Sequence, residues 1–148
     1  MRLEDEIKQK KFKSEHHKLL INLIYTGSWV KSMHSDLLKP SGLTLEQYNL
    51  LRILRGQQSP ASINLLIERM LDKMSNASRL VEKLRQKGLL ERKENDNDRR
   101  QADVLITSKG LELLQALDST IVQIEKRTKV VTEAEAKIVN DVLDRLRG

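Results

Sequence analysis

The residue types best suited to chemistry lie between Lys73 and Arg100. Nine basic residues meet five acidic ones there, within a chain whose overall charge is +6. Such an excess attracts polyanions. Ser75, Asn76, Ser78, Arg79 and Lys83 put short polar and basic side chains at the start of one helical run. A carboxamide can read adenine and a guanidinium can fork onto guanine in the major groove of duplex DNA. Asn76 and Arg79 therefore bear on base recognition, though Ser75 and Asn76 are equally the types that cap a helix. Lys93 and Arg99 suit phosphate contacts, which add affinity without reading sequence. Asp98 stands two residues before Arg100, on the same side of an extended segment, and can hold its guanidinium. The plainer reading of that pair is an exposed ion pair in a turn.

Other chemistries find no residues. The chain has no cysteine, which excludes thiolate metal sites, cysteine nucleophiles and thiol switches. There is no glycine-rich phosphate loop, nucleophile elbow, ligand triad or apolar carboxylate pair, so an enzyme is not expected, nor a cofactor. His16, His17 and His34 are the only imidazoles. Adjacent histidines point to different sides of a helix, so no metal site is expected. No apolar run reaches the roughly 18 residues of a membrane span, and the charged start lacks a signal-peptide core. A cytoplasmic protein without membrane contact is expected.

The elements that must hold these residues follow from periodicity. A chain of 148 residues suits one domain. Leu20, Leu23, Ile24, Val30 and Leu37 predict one long helix from about Glu4 to Leu38. Lys39-Pro40-Ser41-Gly42 ends it. Thr44 and Gln47 form a capping box for a second helix with Tyr48, Leu51 and Leu54 on its buried face. After Gly56-Gln57-Gln58-Ser59-Pro60 a third helix carries Ile63, Leu66, Ile67 and Met70. A fourth starts near Ser75, buries Leu80, Val81 and Leu84, and stops at Gly88. Leu89–Lys93 and Ala102–Ile106 are then two short strands around the polar turn 94–101, a hairpin. Thr107 caps a fifth helix, and Thr132 with Glu135 opens a last one. The fold class is mainly α with a small β-hairpin wing: a winged helix-turn-helix lobe at about 44–107, and a helical dimerisation region at about 4–38 and 108–147.

From Ser59 to Gly110 the residues resemble the MarR family of transcription regulators. Leu84-Arg85-Gln86-Lys87-Gly88-Leu89 is similar to that family's end of the recognition helix. Asp98-Arg99-Arg100 is similar to its wing, and Ile106-Thr107-Ser108-Lys109-Gly110 to the opening of the helix that leads to the dimer interface. Two positions depart from the pattern: Ile67 stands where a small residue is usual, and Leu71-Asp72 replaces a turn that commonly holds glycine.

The resemblance implies a sequence-specific regulator of double-stranded DNA, a repressor released by a small molecule, with Arg100 entering the minor groove. It also implies that Tyr25, Trp29, Met33 and Tyr48 gather where family members hold aromatic effectors, although such a stripe also suits plain core. The outer helices carry more apolar surface than a small lobe can cover. A two-fold homodimer through Leu114, Leu117, Ile121, Ile124, Ile138, Val142 and Leu146 is therefore expected, on a pseudo-palindromic operator. The competing readings are a winged-helix protein-interaction module and a metal-responsive regulator.

Overall fold

The long opening helix expected from Glu4 to Leu38 is two helices. In the computed structural model, which describes residues 1–95, 97 and 102–148, α1 covers Leu3–Glu6 and α2 covers Glu15–Leu38. Between them Lys8 has φ of +53°, a left-handed value that a right-handed helix cannot contain. Lys8, Lys10, Lys11 and Lys13 crowd this stretch, and like charges at helical spacing oppose a continuous helix. Ser14 restarts it by accepting the His17 N–H at 3.1 Å.

Residues 1–45 form one compact unit and 46–148 another. In the first, α1 is tied to α2 at two points. Lys18 Nζ lies 2.6 Å from Glu4 Oε1 and holds that carboxyl down at about 2, helped by a backbone hydrogen bond. The Tyr25 hydroxyl donates to Glu6 Oε2 at 2.6 Å. A 3₁₀ turn, Lys39–Ser41, follows α2.

The second unit holds almost all of α3 (Leu45–Gln57), then β1 (Ala61–Ser62), α4 (Ile63–Arg69), α5 (Ala77–Gln86), β2 (Leu90–Glu94), β3 (Ala102–Ile106), α6 (Ser108–Thr128) and α7 (Glu133–Arg147). The hairpin is present and antiparallel, with Leu90 opposite Ile106 and Glu94 opposite Ala102. A third strand was not expected: β1 pairs with β3, giving the order β1-β3-β2. Two residues are too short to show a period of two. The third helix ends one residue before Met70, which is buried as it leaves the helix axis. Leu50, Leu51, Leu66, Val81, Leu84, Leu90 and Val104 make the core of the lobe.

Two glycines are required by geometry. Gly88, at φ +70°, closes α5: its N–H reaches the Arg85 carbonyl at 2.9 Å and the Leu89 N–H reaches that of Leu84 at 3.0 Å. This is the paired 5→2 and 6→1 bonding that a left-handed residue permits. At Gly110 an added Cβ would press into the Leu89 carbonyl oxygen and stand 2.7 Å from Ile106 Cγ1. The first turn of α6 thus lies directly on the base of the hairpin. Thr107 joins them, its hydroxyl donating to the Gly88 carbonyl at 2.7 Å and accepting the Gly110 N–H at 3.1 Å. Farther along α6, Arg55 of α3 donates to both carboxylate oxygens of Asp118 at 3.0 and 3.1 Å.

The expected dimer surface divides. Leu114, Leu117 and Ile124 are buried within the chain itself, so they have little surface to offer a second copy, and Ile121 is half-buried. On α7 no residue is buried; Ile138 and Leu146 are exposed and Val142 is half-buried. The capping box that opens α7 is complete: Thr132 accepts the Glu135 N–H and Glu135 accepts the Thr132 N–H. The Thr132 N–H, and then its hydroxyl, both donating to the Glu135 carboxylate, lower its pKa.

Candidate nucleic-acid interface

The amphipathic split of α5 is what builds the candidate interface. Ala77, Val81 and Leu84 are buried, the i, i+4, i+7 spacing of one helix face. Ser78, Arg79 and Lys83 are exposed on the remainder. The helix begins at Ala77 and not at Ser75, because Asn76 is its N-cap: the carboxamide oxygen accepts the Arg79 N–H at 3.0 Å. The cap reading of Asn76 is thus realised. Ser75 lies in the turn before the cap, its N–H bonded to the Asp72 carbonyl at 3.2 Å.

Asn76→Ala should therefore lower stability by about 1 kcal/mol, and Asn76→Ser, an equally good cap, should restore it. Urea unfolding of the two variants decides the matter; equal losses would mean that the cap is not the source of the effect.

A hollow of about 390 Å³ runs beside this helix, lined by Glu46, Asp72, Met74, Ser75, Asn76, Arg79, Leu80 and Lys83. It gathers Ser75, Asn76, Arg79 and Lys83 from the sequence reading; Ser78 is exposed on α5 but outside the lining. Glu46, Asp72 and Met74 are not among the candidate site residues of the sequence. Asp72 and Met74 come from the turn before α5 and Glu46 from α3, so no local pattern announces them. Glu46 and Asp72 set two carboxylates against the positive charge of Arg79 and Lys83 in this hollow.

Not all of the positive charge is available to a polyanion. Arg85 forks onto Glu82 at 2.8 and 3.1 Å, which lowers the Glu82 pKa and raises its own. Lys87 Nζ reaches Gln47 Oε1 at 3.5 Å, and Lys73 Nζ caps the Ile67 and Glu68 carbonyls. Arg79 and Lys83 stand exposed beside the hollow.

In the wing Lys93 is exposed on β2, directly opposite Asp103. Asn95 begins the turn as its residue type suggests, accepting the Asn97 N–H at 2.8 Å and donating to Asp103 Oδ2 at 3.0 Å. Asp98, Arg99 and Arg100 lie outside the described residues.

Two of the four residues expected to form an effector pocket share a hollow. Tyr25 and Trp29 line a hollow of the first unit with Met1, Glu6 and Thr26. Met33 and Tyr48, 5% and 6% exposed, are buried; burial is also what raises the Tyr48 pKa. His34 Nδ1 lies 2.8 Å from the Val30 carbonyl and His17 Nδ1 accepts the Lys13 N–H. Among the described residues no three His, Asp or Glu groups come together as metal ligands, and no helix is long and apolar enough to cross a membrane.

Residues 41–101 match the MarR family. The fold is similar to that of a MarR transcription factor of Planctomyces limnophilus, at 25% identity over 93% of this chain and 98% of that one, with a TM-score of 0.68. It is similar to Staphylococcus aureus MepR in a complex with DNA, at 22% identity over 92% and 97% of the two chains, TM-score 0.77. It is also similar to Bordetella bronchiseptica BpsR, whose DNA binding is regulated by 6-hydroxynicotinic acid, at 20% identity over 88% and 99%, TM-score 0.77. No curated protein matches the sequence.

Proposed function

We propose that this chain, a winged-helix protein whose residues 41–101 belong to the MarR family, is a cytoplasmic, sequence-specific DNA-binding repressor that works as a two-fold homodimer and is released by a small molecule. The observation that carries the reading is α5, buried along Ala77, Val81 and Leu84 and polar and basic along Ser78, Arg79 and Lys83. A helix of that form fits the major groove with its first turns toward the bases. In this reading Arg79 reads a base and Ser75, Ser78 and Lys83 fix the helix against the groove wall, with Asn76 setting its first turn. Lys93 and Arg99 contact phosphate, while Asp98 orients Arg100 toward the minor groove. The DNA complex of MepR and the ligand-regulated DNA binding of BpsR support the two halves of the reading. The homodimer uses the exposed apolar residues of α7, Ile138 and Leu146, with Val142.

Selection of bound sites from random duplex DNA with the purified protein tests it. A pseudo-palindromic motif with half-sites about one helical turn apart is expected. Affinity for that motif should fall steeply with salt as counterions are released, and Arg99→Ala should flatten the slope by about one unit. Recovery of no motif, with no salt dependence, overturns the proposal. One observation favours a protein-interaction module as a second reading: Leu71 and Met74, 76% and 92% exposed, flank the reading helix. The exposed face of α5 itself is polar, which is why DNA is preferred.

A further inference from the structure

Met74 is the outlier of the candidate interface. It lies just before Asn76, the cap of α5, and is 92% exposed, an apolar side chain among acidic and basic neighbours. So placed, it forgoes the apolar packing that a core would give its thioether. Its backbone is nonetheless held in place. The Met74 N–H donates to Asp72 Oδ1 at 3.0 Å, and the Ser75 N–H donates to the Asp72 carbonyl at 3.2 Å. Lys73 Nζ donates to the Ile67 and Glu68 carbonyls in the last turns of α4. Asn76 then opens α5 by accepting the Arg79 N–H. The turn thus fixes Met74 in the lining of the hollow that also holds Arg79 and Lys83. Leu71, 76% exposed in the same turn, stands outside that lining.

A thioether has no proton to donate and accepts only weakly, so neither a phosphate nor the polar edge of a base accounts for it. The Asp72 and Glu46 carboxylates share its hollow and repel a phosphate further. The major groove of duplex DNA offers one apolar feature, the C5-methyl group of thymine. We infer that Met74 is a specificity residue that packs on the methyl group of a thymine beside the base read by Arg79. What it recognises is a 5-methylpyrimidine, not the hydrogen-bonding edge of thymine, so 5-methylcytosine serves the same contact. The inference rests on the DNA reading proposed above and adds an apolar contact to it.

The duplex recovered by selection from random DNA is rebuilt with deoxyuridine in place of each thymine in turn, which removes only the methyl group. Fluorescence anisotropy with the full-length protein should show one thymine per half-site whose replacement weakens binding about threefold to fivefold, the worth of burying one methyl group. That thymine should adjoin the position at which Arg79→Lys relaxes the preference. Cytosine at the same place should bind more weakly still, and 5-methylcytosine should recover a similar factor over cytosine. Met74→Gln keeps the length of the side chain but makes it polar, so it should bind the thymine and deoxyuridine duplexes alike. Met74→Leu should keep the parental discrimination. Because the position is exposed, both variants should melt with the parent. No methyl-sensitive position, or one whose sensitivity survives Met74→Gln, overturns the inference while the selected motif upholds the DNA reading. Leu71 and Met74 would then belong to a surface for a protein partner. Recovery of no motif overturns the DNA reading itself, and this contact with it.

Discussion

Gly110→Ala should lower stability by roughly 3 kcal/mol, which for a chain of this size is a fall in melting temperature of about 10 °C. The added methyl has nowhere to go: it meets the Leu89 carbonyl and the Ile106 side chain at once. One is backbone of the strand base and the other is packed against it, so neither yields as the end of a flexible side chain would. Relief requires α6 to lift from the hairpin. That movement breaks the Thr107 bonds to Gly88 and Gly110 and loosens the sheet at the Leu90–Ile106 pair. Gly56→Ala is the control. Gly56 lies in α3 with nothing within 4 Å of its would-be Cβ, so alanine there should stabilise by up to about 1 kcal/mol through helix propensity. Calorimetric melting of both variants checks the pair; a Gly110→Ala protein as stable as the parent would mean that α6 does not rest on the hairpin.

The second large effect concerns DNA. Arg79→Ala should weaken the selected operator by about tenfold to a hundredfold, and Arg79→Lys should separate two roles. A guanidinium forked onto guanine cannot be replaced by an ammonium, so lysine should leave affinity low and relax the preference at one base position. A phosphate contact would survive the exchange with most of its affinity. We expect the first outcome, because the Arg79 N–H is fixed by Asn76 in the opening turn of α5, the part of a reading helix nearest the bases. Fluorescence anisotropy against operators substituted position by position gives both numbers. Because Arg79 is exposed, the melting temperature of both variants should stay within about 2 °C of the parent.

Much of this architecture is legible in the sequence, for physical reasons. The Gly88 and Thr107 boundaries are written in local chemistry: a left-handed glycine after a basic turn, and a hydroxyl three residues before the N–H it accepts. Both appear as expected. The buried stripe of α5 follows from its 3.6-residue period, although Leu80 proves half-buried and shares the hollow with Arg79. What escapes is whatever depends on distant residues. At Lys8 the run of lysines weakens the helix, but the left-handed turn that breaks it is a backbone conformation that lysine does not announce. Strand β1 exists only because β3 passes beside it. Glu46 and Asp72 come to the hollow beside α5 from another helix and from a turn, a juxtaposition that no local pattern marks. The hydrogen bond from Tyr25 to Glu6 joins residues nineteen positions apart, and no local pattern announces it.

The seat of Gly110 has a mechanical consequence. With its 21 residues, α6 is a lever arm about 30 Å long, clamped at one end to the hairpin whose strand follows directly from α5. A tilt of about 5° at that clamp carries the far end through roughly 2–3 Å, by the same helix length. A joint too tight for one methyl group has little room for such rocking. Helix α5, strands β2 and β3 and helix α6 therefore turn as one piece. In the two-fold pair proposed above, joined through the C-terminal helices, the distance between the two α5 helices is then decided at the far ends of the levers. On the function proposed above, a shift of an ångström at those ends would move both α5 helices along the groove without deforming either.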